Sequence, residues 1–577
     1  MRDTLKAAIT ATLEAAIADG RLPLDDLPAV SVERPRDPSH GDWSTNVALI
    51  SAKAAGMPPR EIAEMVAVDL RGRLAGVADA VEIAGPGFIN VRLARGVLAD
   101  VVSQVREQGA AFGAGVSSGR RVQVEFVSAN PVGPMHVGHG RWAALGDSIA
   151  RILEHAGDDV QREFYVNDAG VQMDIFAASV SARYLELCGR EVEFPEDGYR
   201  GAYITEIARE IYEEEATCWL DATPASREAH FKEKAYVAVL GHLRQVLHGM
   251  GVDFDVWFSE RTLHEPGSDG GPTAIERGIA RLREAGYLVE HEGALWFRST
   301  DFGDDKDRVL IKADGSYTYF AADVAYHADK YDRGFDLVID IWGADHHGYV
   351  KRMESAVAAL GHPGKLEVII GQMVNLFRNG EVVRMSKRTG EMVTFEDLLD
   401  EVGADAARYF FLRRSTDQAL DFDIALAKER SADNPVYYVQ YAHARICSIL
   451  RKASGADTAD ESVDIAGVAA RITVDATALG LLGSEPGTLA GEAELGLLRT
   501  LAEFPEVVEI AARQRAPHKL TTYAEDLAGA FHQFYTHCQV VVDDPQLRSA
   551  RLALADAARL VLARSLSLLG VSAPQRM

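Results

Sequence analysis

Two histidines three residues apart are the first residues in this sequence whose spacing suits catalysis. The stretch SANPVGPMHVGHGR, residues 128–141, places His136 and His139 on either side of Gly138. Positions i and i+3 of a helix share a face, so both imidazoles are expected to point at one spot. A helix start attracts anions, and a glycine lets a flat ring or a phosphate approach the backbone. The tetrapeptide indicates a nucleotide cradle, although HxxH pairs also arise by chance in cores and on surfaces.

A cationic segment about 250 residues further along the chain supplies a second anchor. In VVRMSKRTG, residues 382–390, a polar and positively charged run follows an Asn-Gly turn. A lysine in such a loop is usually only solvated, so the segment says little by itself. Its value lies in its pairing with the histidine turn within one α/β block.

The elements around these motifs predict how they are positioned. VQVEFV (122–127) is a predicted strand before the histidines, and WAALGDSIARILEHAG (142–157) is a predicted amphipathic helix after them. DLVIDIWG (336–343) is a second buried-strand candidate and precedes a helical stretch. Two strand-to-helix junctions predict a doubly wound parallel sheet with a ligand crevice at the carboxyl ends of its strands. Asp314-Gly315 and Asn379-Gly380 are turn signals for two hairpins.

Three domains follow from the distribution of these patterns. Residues 1–112 mix helices with short strands and predict a small α+β domain. Residues 113–430 predict a Rossmann-like α/β catalytic domain, which an acidic helical insertion interrupts at about 178–250. Strand patterns then end, and residues 434–577 predict an all-α bundle.

Composition excludes several classes of protein. The 577 residues are 47% hydrophobic and 25% charged, as in ordinary globular proteins. No apolar run approaches the roughly 20 residues of a membrane span. The net charge of −26 argues against non-specific DNA binding, so a nucleic-acid partner needs local basic surface, such as residues 377–390 and 512–519. Four scattered cysteines without a CxxC pair indicate neither a zinc site nor disulfides, which favours the cytoplasm.

Taken together, HxGH and MSK resemble the signature of class I aminoacyl-tRNA synthetases, and the surrounding residues resemble the arginyl-tRNA synthetase family. The resemblance is carried by SANPVGPMHVGHGR, FYVNDAGVQ (164–172), YTYFAADVAYHADKY (317–331), IWGADHHGYVKRM (341–353) and GADAARYFFL (403–412). PSHGDWSTNVAL and GPGFINVRL are similar to the extra N-terminal domain of that family. The lysine loop departs from the class pattern only at Arg384, which keeps the positive charge.

The resemblance implies an enzyme that activates L-arginine with ATP and transfers it to the 2′-hydroxyl of the terminal adenosine of tRNA(Arg). It implies Mg²⁺ held through the ATP phosphates and no metal bound by the protein itself. The N-terminal domain is expected to touch the tRNA elbow and the bundle to bind the anticodon. A monomer that needs tRNA for activation is also implied.

The resemblance also implies roles for individual residues. The expected catalytic residues are His136, His139 and Lys387. Those expected to bind ATP are Pro131, Gly138, Gly343, Asp345, His346, Met385, Ser386 and Arg388. Those expected to bind arginine are Asn130, Tyr319, Asp323, Asn167 and Gln172. Those proposed to contact tRNA are Tyr437, Tyr438, Arg513, Arg515, Lys519 and Tyr523.

Other readings stay open at this point. Asp323 also suits the role of a helix cap, and the tyrosines of the bundle also suit its core. Another class I synthetase, such as the cysteinyl enzyme, shares a related bundle but needs zinc-ligand cysteines. A small nucleotidyltransferase uses an HxGH turn without a long helical domain. A non-catalytic tRNA-binding paralogue usually loses the histidines or the lysine, and both are present here.

Overall fold

The computed structural model describes residues 1–35, 37–267, 270–383, 393–457, 462–485 and 487–577. The first part of the chain contains α1 (Arg2–Ala18), β1 (Trp43–Thr45), α2 (Val47–Ala55), α3 (Pro59–Arg73), β2 (Ala78–Ala84), β3 (Phe88–Leu93) and α4 (Arg95–Gln108). Its three strands form an antiparallel sheet in the order β1-β3-β2, which packs against the helices. This is an α+β arrangement.

The middle of the chain is built on a parallel sheet. Its elements up to the end of that sheet are β4 (Arg121–Glu125), α5 (Val137–His155), β5 (Asp159–Val166), α6 (Val171–Leu187), α7 (Ala202–Glu215), α8 (Pro224–Gly249), β6 (Val256–Ser259), α9 (Arg261–His264), α10 (Ala274–Glu284), β7 (Leu288–His291), β8 (Ala294–Phe297), β9 (Arg308–Ile311), α11 (Tyr319–Asp332), β10 (Leu337–Gly343), α12 (Val350–Ala359) and β11 (Leu366–Gly371). The five parallel strands have the order β11-β10-β4-β5-β6.

The strand order fixes where a ligand site can form. The chain leaves β4 for β5 on one side, whereas β10 and β11 lie on the other side of β4. The order therefore reverses between β4 and β10, and a crevice opens beyond the carboxyl ends of these two strands. Both strands are nearly continuous runs of buried residues, as a parallel sheet covered on two faces requires.

Two smaller sheets and a helix bundle complete the chain. The remaining elements are β12 (Val374–Arg378), β13 (Glu381–Val382), α13 (Phe395–Val402), α14 (Ala404–Leu412), β14 (Leu420–Asp423), α15 (Ile424–Lys428), α16 (Pro435–Ala453), α17 (Ile465–Ala470), α18 (Ala476–Leu479), α19 (Leu489–Gln514), α20 (His518–His537) and α21 (Pro545–Leu568). The small sheets have the orders β7-β8-β9 and β13-β12-β14. In the described part of the chain, no helix has the length and apolarity that crossing a membrane requires.

The turns show where local sequence decides the backbone. The hairpin at Asn379-Gly380 is confirmed, since both residues have positive φ (53° and 81°) and Phe377 pairs with Val382. At Asp314-Gly315 the turn forms, but the predicted hairpin is reduced to a single β-bridge between Ile311 and Tyr317 among the described residues. The pairing stops there because Thr318 is the N-cap of α11. The sequence analysis missed the hairpin between β7 and β8, whose turn is Glu292-Gly293.

The helix after the histidines also differs from its prediction. The apolar periodicity placed its start near residue 142, whereas α5 begins at Val137 with His136 as its N-cap. Glycines at 138 and 140 lower the helix propensity of this turn, and packing of the helix against the sheet outweighs that cost.

A buried arginine joins the parallel-sheet part of the chain to the bundle. Arg408, in α14, has no solvent exposure, and its Nη2 donates to Asp147 Oδ2 of α5 at 2.5 Å. Its Nε donates to Leu569 O beyond α21 at 2.9 Å, and its Nη1 donates to Met250 O beyond α8 at 3.2 Å. One guanidinium thus fixes three distant segments to the helix that carries the histidines.

We predict that Asp147→Ala lowers the free energy of unfolding by about 3–5 kcal/mol, because it leaves a buried guanidinium without its carboxylate. Thermal and urea unfolding followed by circular dichroism measure the change. Glu64→Ala is the control, since the Arg60–Glu64 pair is 64% and 59% exposed and such pairs contribute under about 1 kcal/mol. Equal, small losses in both variants contradict the assignment.

Candidate active site

The two histidines lie stacked at the start of α5. Their ring centroids are 3.7 Å apart with an interplanar angle of 20°. The backbone N–H of His136 donates to Nδ1 of His139 at 3.3 Å. Because Nδ1 accepts this bond, the proton of a neutral His139 ring is on Nε2, which makes Nε2 a donor.

The histidine turn is fastened to the segments on both sides of residues 384–392. Backbone atoms of His136 and Thr394 form an isolated bridge, and Phe395 N donates to Met135 O at 2.9 Å. The buried Arg141 guanidinium donates to Gln372 O and Ser415 O at 2.9 Å each, just before β12 and β14. The small sheet β13-β12-β14 is therefore held against the helix that carries the histidines.

A cavity of about 500 Å³ opens beside the two imidazoles. It lies at the carboxyl ends of β4 and β10, where the strand order reverses. The predicted site residues that line it are Asn130, His136, His139, Asn167, Tyr319, Asp323, Gly343, Asp345 and His346. Residues up to about 215 positions apart in the sequence are thus brought together at one crevice.

Part of the cavity wall belongs to a charge network around one buried lysine. Lys330 has no exposure, and its Nζ donates to Glu125 Oε2 at 2.6 Å and to Asp340 Oδ1 at 2.9 Å. Burial acts to raise the pKa of Asp340, but the Lys330 ammonium and His327 together outweigh it and hold this pKa at about 2. His327 Nε2 lies 3.0 Å from the other oxygen of Asp340. These charges are satisfied within the protein.

Two further carboxylates lack such a partner. Among the described residues no lysine or arginine forms an ion pair with Asp323 or Glu260, and His264 Nε2 lies 3.9 Å from Glu260 Oε1. The hydroxyl of Tyr349 donates to Asp323 Oδ2 at 2.5 Å, and burial raises the pKa of Asp323. Glu260 is 5% exposed, and burial raises its pKa to about 7. This part of the cavity suits a cation with several N–H donors, since it offers acceptors that the protein does not neutralise.

A strained turn carries the amide side chains into the site. Val127 and Ser128 have φ of 68° and 41°, and a positive φ is rare for a β-branched residue. Ser128 Oγ donates to Glu125 Oε1 at 2.9 Å and accepts from Tyr165 N, which stabilises this conformation. Strain of this kind is typical of functional sites, and here it sets the position of Asn130.

The amides predicted to bind substrate differ in their placement. Asn130 Nδ2 donates to Gln172 Oε1 at 2.9 Å, and Gln172 itself is exposed and lies outside the cavity lining. The amide nitrogen of Asn167 is assigned to donate to Glu260 Oε2 at 2.9 Å. Tyr319 stands at the mouth of the cavity with 74% exposure.

Two residues predicted to contact ATP have other neighbours. Pro131 is buried and does not line the cavity. At Gly138 a Cβ atom would lie 2.9 Å from Cε1 of His136, so the space beside this glycine holds the histidine ring. The expected open approach at Gly138 is therefore wrong. Met385, Ser386, Lys387 and Arg388 lie outside the described residues.

Most of the acidic and aromatic side chains that line the cavity were not predicted from the sequence. Glu125, Glu260, Trp142, Tyr349 and the Lys330 network were not singled out. Glu260 directly follows β6, so the rule that ligands bind at the carboxyl ends of strands was a usable signal. Lys330 gave none, because a lysine in an amphipathic helix is ordinarily solvated.

The bundle residues predicted to contact tRNA fall into two groups. Arg513 and Lys519 are exposed, while Tyr437 is half-buried with its ring 6.0 Å from that of Tyr441. Tyr438 is also half-buried, with its ring 4.9 Å from that of His532.

Two of the predicted contacts require correction. Tyr523 is 3% exposed and donates to Thr500 O at 2.9 Å, so it belongs to the core of the bundle. Arg515 has a side chain 10% exposed that pairs with Glu367 of β11 at 3.1 Å. The helical periodicity around these two residues did not show whether their side chains pack inside the protein or lie on a surface that contacts tRNA.

Family models match three parts of the chain that together span nearly all of it. They are the arginyl tRNA synthetase N terminal domain over residues 3–93, the class I (R) tRNA synthetase catalytic domain over 101–471 and the DALR anticodon binding domain over 439–577. The chain belongs to the arginyl-tRNA synthetase family. Its histidine turn, cavity and bundle are therefore those of a class I synthetase fold.

Relatives and solved structures agree with this family. A curated arginine–tRNA ligase from Heliobacterium modesticaldum is 48% identical over 579 residues, covering 100% of this chain and 99% of the relative. One from Moorella thermoacetica is 47% identical, covering 99% and 98%. A Campylobacter jejuni arginyl-tRNA synthetase structure has a TM-score of 0.73 at 33% identity, covering 84% of this chain and 100% of that one. The Thermus thermophilus structure, at 22% identity and TM-score 0.73 over the full length of both chains, shares the fold.

We predict that Glu260→Gln stabilises the protein at pH 8 by about 2–3 kcal/mol and much less at pH 5. The folded-state pKa of about 7 exceeds the ordinary 4.5. The folded state therefore retains this proton, and the stability that it contributes is lost as the pH rises through 7. Thermal melting of both proteins at the two pH values measures the difference.

Glu64→Gln, at an exposed position, is the control and should show no such pH dependence. A Glu260→Gln protein that melts lower than the wild type at pH 8 would contradict the raised pKa.

Proposed function

We propose that the chain is an arginine–tRNA ligase that converts L-arginine and ATP to arginyl-adenylate and pyrophosphate, then transfers arginine to the 2′-hydroxyl of the terminal adenosine of tRNA(Arg). One observation carries the choice of substrate. The cavity beside the imidazoles contains two carboxylates, Asp323 and Glu260, that form no ion pair with a lysine or arginine among the described residues. The names of the relatives agree with this choice.

Arginine fits the acceptor arrangement of this cavity. Its guanidinium is always charged and offers five planar donors. We assign Asp323 as its principal ion-pair partner and Glu260 as a second acceptor, with Tyr319 closing the mouth of the pocket. Bound guanidinium would favour the ionised form of Glu260 and lower its pKa. Asn130, held by Gln172, is assigned to the α-amino group, and Asn167 acts through its bond to Glu260.

The adenylation step needs alignment and charge stabilisation more than proton transfer. A free α-carboxylate has a pKa of about 3.5, so the nucleophile is already ionised and attacks the α-phosphate directly. The bond to pyrophosphate breaks as the carboxylate–phosphate bond forms. His136 and His139 are assigned to donate to phosphate oxygens, and the Nε2 proton of His139 suits that role.

The lysine loop is assigned to the departing phosphates. Lys387 lies seven residues before Thr394, whose backbone bridges to His136. Seven residues span at most about 25 Å, so chain length allows Lys387 to reach the histidine turn. Its neighbours Met385, Ser386 and Arg388 are assigned to the same ATP.

The nucleoside part of ATP is assigned to the end of β10. Gly343, Asp345 and His346 line the cavity there. Pro131 and Gly138 are assigned an indirect part, in shaping the histidine turn. Among the described residues no group of three or more His, Cys, Asp or Glu side chains suits a metal ion. We assign Mg²⁺ mainly to the ATP phosphates, where it would offset their negative charge.

Binding of tRNA is assigned to the two ends of the chain. We propose that residues 1–112 contact the tRNA elbow, that 113–430 form the catalytic domain and that 434–577 bind the anticodon. Arg513, Lys519 and the half-buried Tyr437 and Tyr438 are the candidate contacts in the bundle. The protein is proposed to act as a cytoplasmic monomer, with no membrane or DNA partner.

ATP–pyrophosphate exchange with each of the 20 amino acids, with and without tRNA(Arg), tests the proposed function. Exchange is expected with arginine alone among them. Exchange with another amino acid overturns the arginine assignment and keeps the class I chemistry. No exchange with any amino acid in the presence of tRNA overturns the enzyme and favours a tRNA-binding paralogue.

We predict that Asp323→Asn raises the KM for arginine about a hundredfold or more, because the guanidinium loses its ion-pair partner in a half-buried site. Steady-state exchange kinetics at saturating ATP measure it. Asp329→Asn is the control, since Asp329 lies on the same helix but pairs with Arg333 outside the cavity. An unchanged KM for Asp323→Asn removes this residue from the pocket.

A further inference from the structure

A tryptophan packs beside the two histidines, and the proposed chemistry gives it no role. Trp142 lines the cavity, and its ring centroid lies 5.3 Å from that of His139 and 5.9 Å from that of His136. Both contacts are edge-on, with interplanar angles of 69° and 75°. The indole therefore forms a wall against which the stacked imidazole pair rests.

The other side of the indole lies on two glycines. Gly343 and Gly371 are paired in register at the carboxyl ends of the parallel strands β10 and β11. A Cβ atom on Gly371 would lie 2.3 Å from Nε1 and 2.7 Å from Cδ1 of Trp142. A Cβ atom on Gly343 would lie 3.2 Å from its Cη2. The five-membered ring thus covers one glycine and the six-membered ring covers the other.

Packing, and not hydrogen bonding, holds the indole in this place. No hydrogen-bond partner is present for the buried Nε1 of Trp142 among the described residues, so the N–H does not anchor the ring. The indole is held by packing between the backbone of the two glycines and the two imidazoles. Because such packing is dense, a displacement of the ring is passed on to the histidines.

We propose that Trp142 is a positioning residue for adenylation, which sets the places of both imidazoles, and that the paired glycines Gly343 and Gly371 provide its seat. The inference rests on the proposed function, in which these imidazoles contact the ATP phosphates. A misplacement of about 1 Å at a reacting centre can cost about a hundredfold in rate, so such a wall has a measurable effect.

A four-variant comparison tests the proposal. Trp142→Leu removes the flat wall, whereas Trp142→Phe keeps an aromatic ring and lacks the pyrrole edge that faces Gly371. Gly371→Ala pushes against that edge without lining the cavity. The double variant Trp142→Phe with Gly371→Ala combines the added methyl with the space that phenylalanine leaves.

The readout is pyrophosphate exchange with arginine and tRNA(Arg). We expect kcat to fall about tenfold or more in Trp142→Leu and in Gly371→Ala, and to stay within about threefold of the wild type in Trp142→Phe. The double variant should recover to within about threefold of Trp142→Phe, which additive structural damage does not produce. The KM for arginine should stay within about twofold throughout, because Asp323 and Glu260 are untouched. Trp257→Phe, on β6 against Phe164, is the control and should leave kcat unchanged.

Three outcomes overturn the proposal: normal kcat in Gly371→Ala, a double variant as slow as Gly371→Ala alone, or equal kcat in Trp142→Leu and Trp142→Phe. If Gly371→Ala fails to fold, the comparison of the two Trp142 variants decides. His136→Asn and His139→Asn separate the two levels of the argument. Full exchange activity in both refutes the histidine role itself, whereas impaired histidine variants beside an additive Trp142–Gly371 cycle refute only this inference.

Discussion

Keeping carboxylates ionised inside a protein is the constraint on which this site depends. A buried charge needs either a partner or a ligand, because its desolvation is costly. The cavity wall meets that requirement in two ways. The Lys330 ammonium donates to both Glu125 and Asp340, whereas Asp323 and Glu260 are hydrogen-bonded to the neutral side chains of Tyr349 and Asn167. The hydrogen bonds of Lys330 give the site its shape. Asp323 and Glu260 leave negative charge with which a cationic ligand can pair.

Hydrogen bonds and ring packing fix the positions of the residues on the phosphate side of the cavity. The histidine turn is hydrogen-bonded to Phe395, which follows residues 384–392, and Arg141 is hydrogen-bonded to Gln372, which precedes them, and to Ser415 before β14. The imidazoles rest in turn on Trp142. A chain with a net charge of −26 repels a triphosphate at long range, so it needs its positive groups at fixed short distances. The strand order determines where the crevice lies, and these contacts determine how the imidazoles are aligned within it.

The sequence allowed prediction of the parallel sheet, the histidine turn, the Asn379-Gly380 hairpin and the helical end, because each depends on local periodicity or on turn residues. It also pointed to Asp323 and Gly343 through the family resemblance. It did not predict Glu260 or the Lys330 network, since their role depends on which distant carboxylates face one cavity. For the same reason Tyr523 and Arg515 were assigned to tRNA. An aromatic or basic residue in an amphipathic helix has the same pattern whether it packs inside a bundle or faces solvent.

The buried hydrogen bonds of Arg408 have a consequence for folding during synthesis. Its Nε bonds to Leu569, which the ribosome adds 161 residues later. Until then the Arg408 guanidinium lacks this buried acceptor, and so does Ser148 Oγ of α5, the helix that begins with the histidines. The nascent catalytic block therefore cannot complete its interior during translation. A product released before that point would expose apolar and charged surface together, which is the state that chaperones bind and proteases degrade.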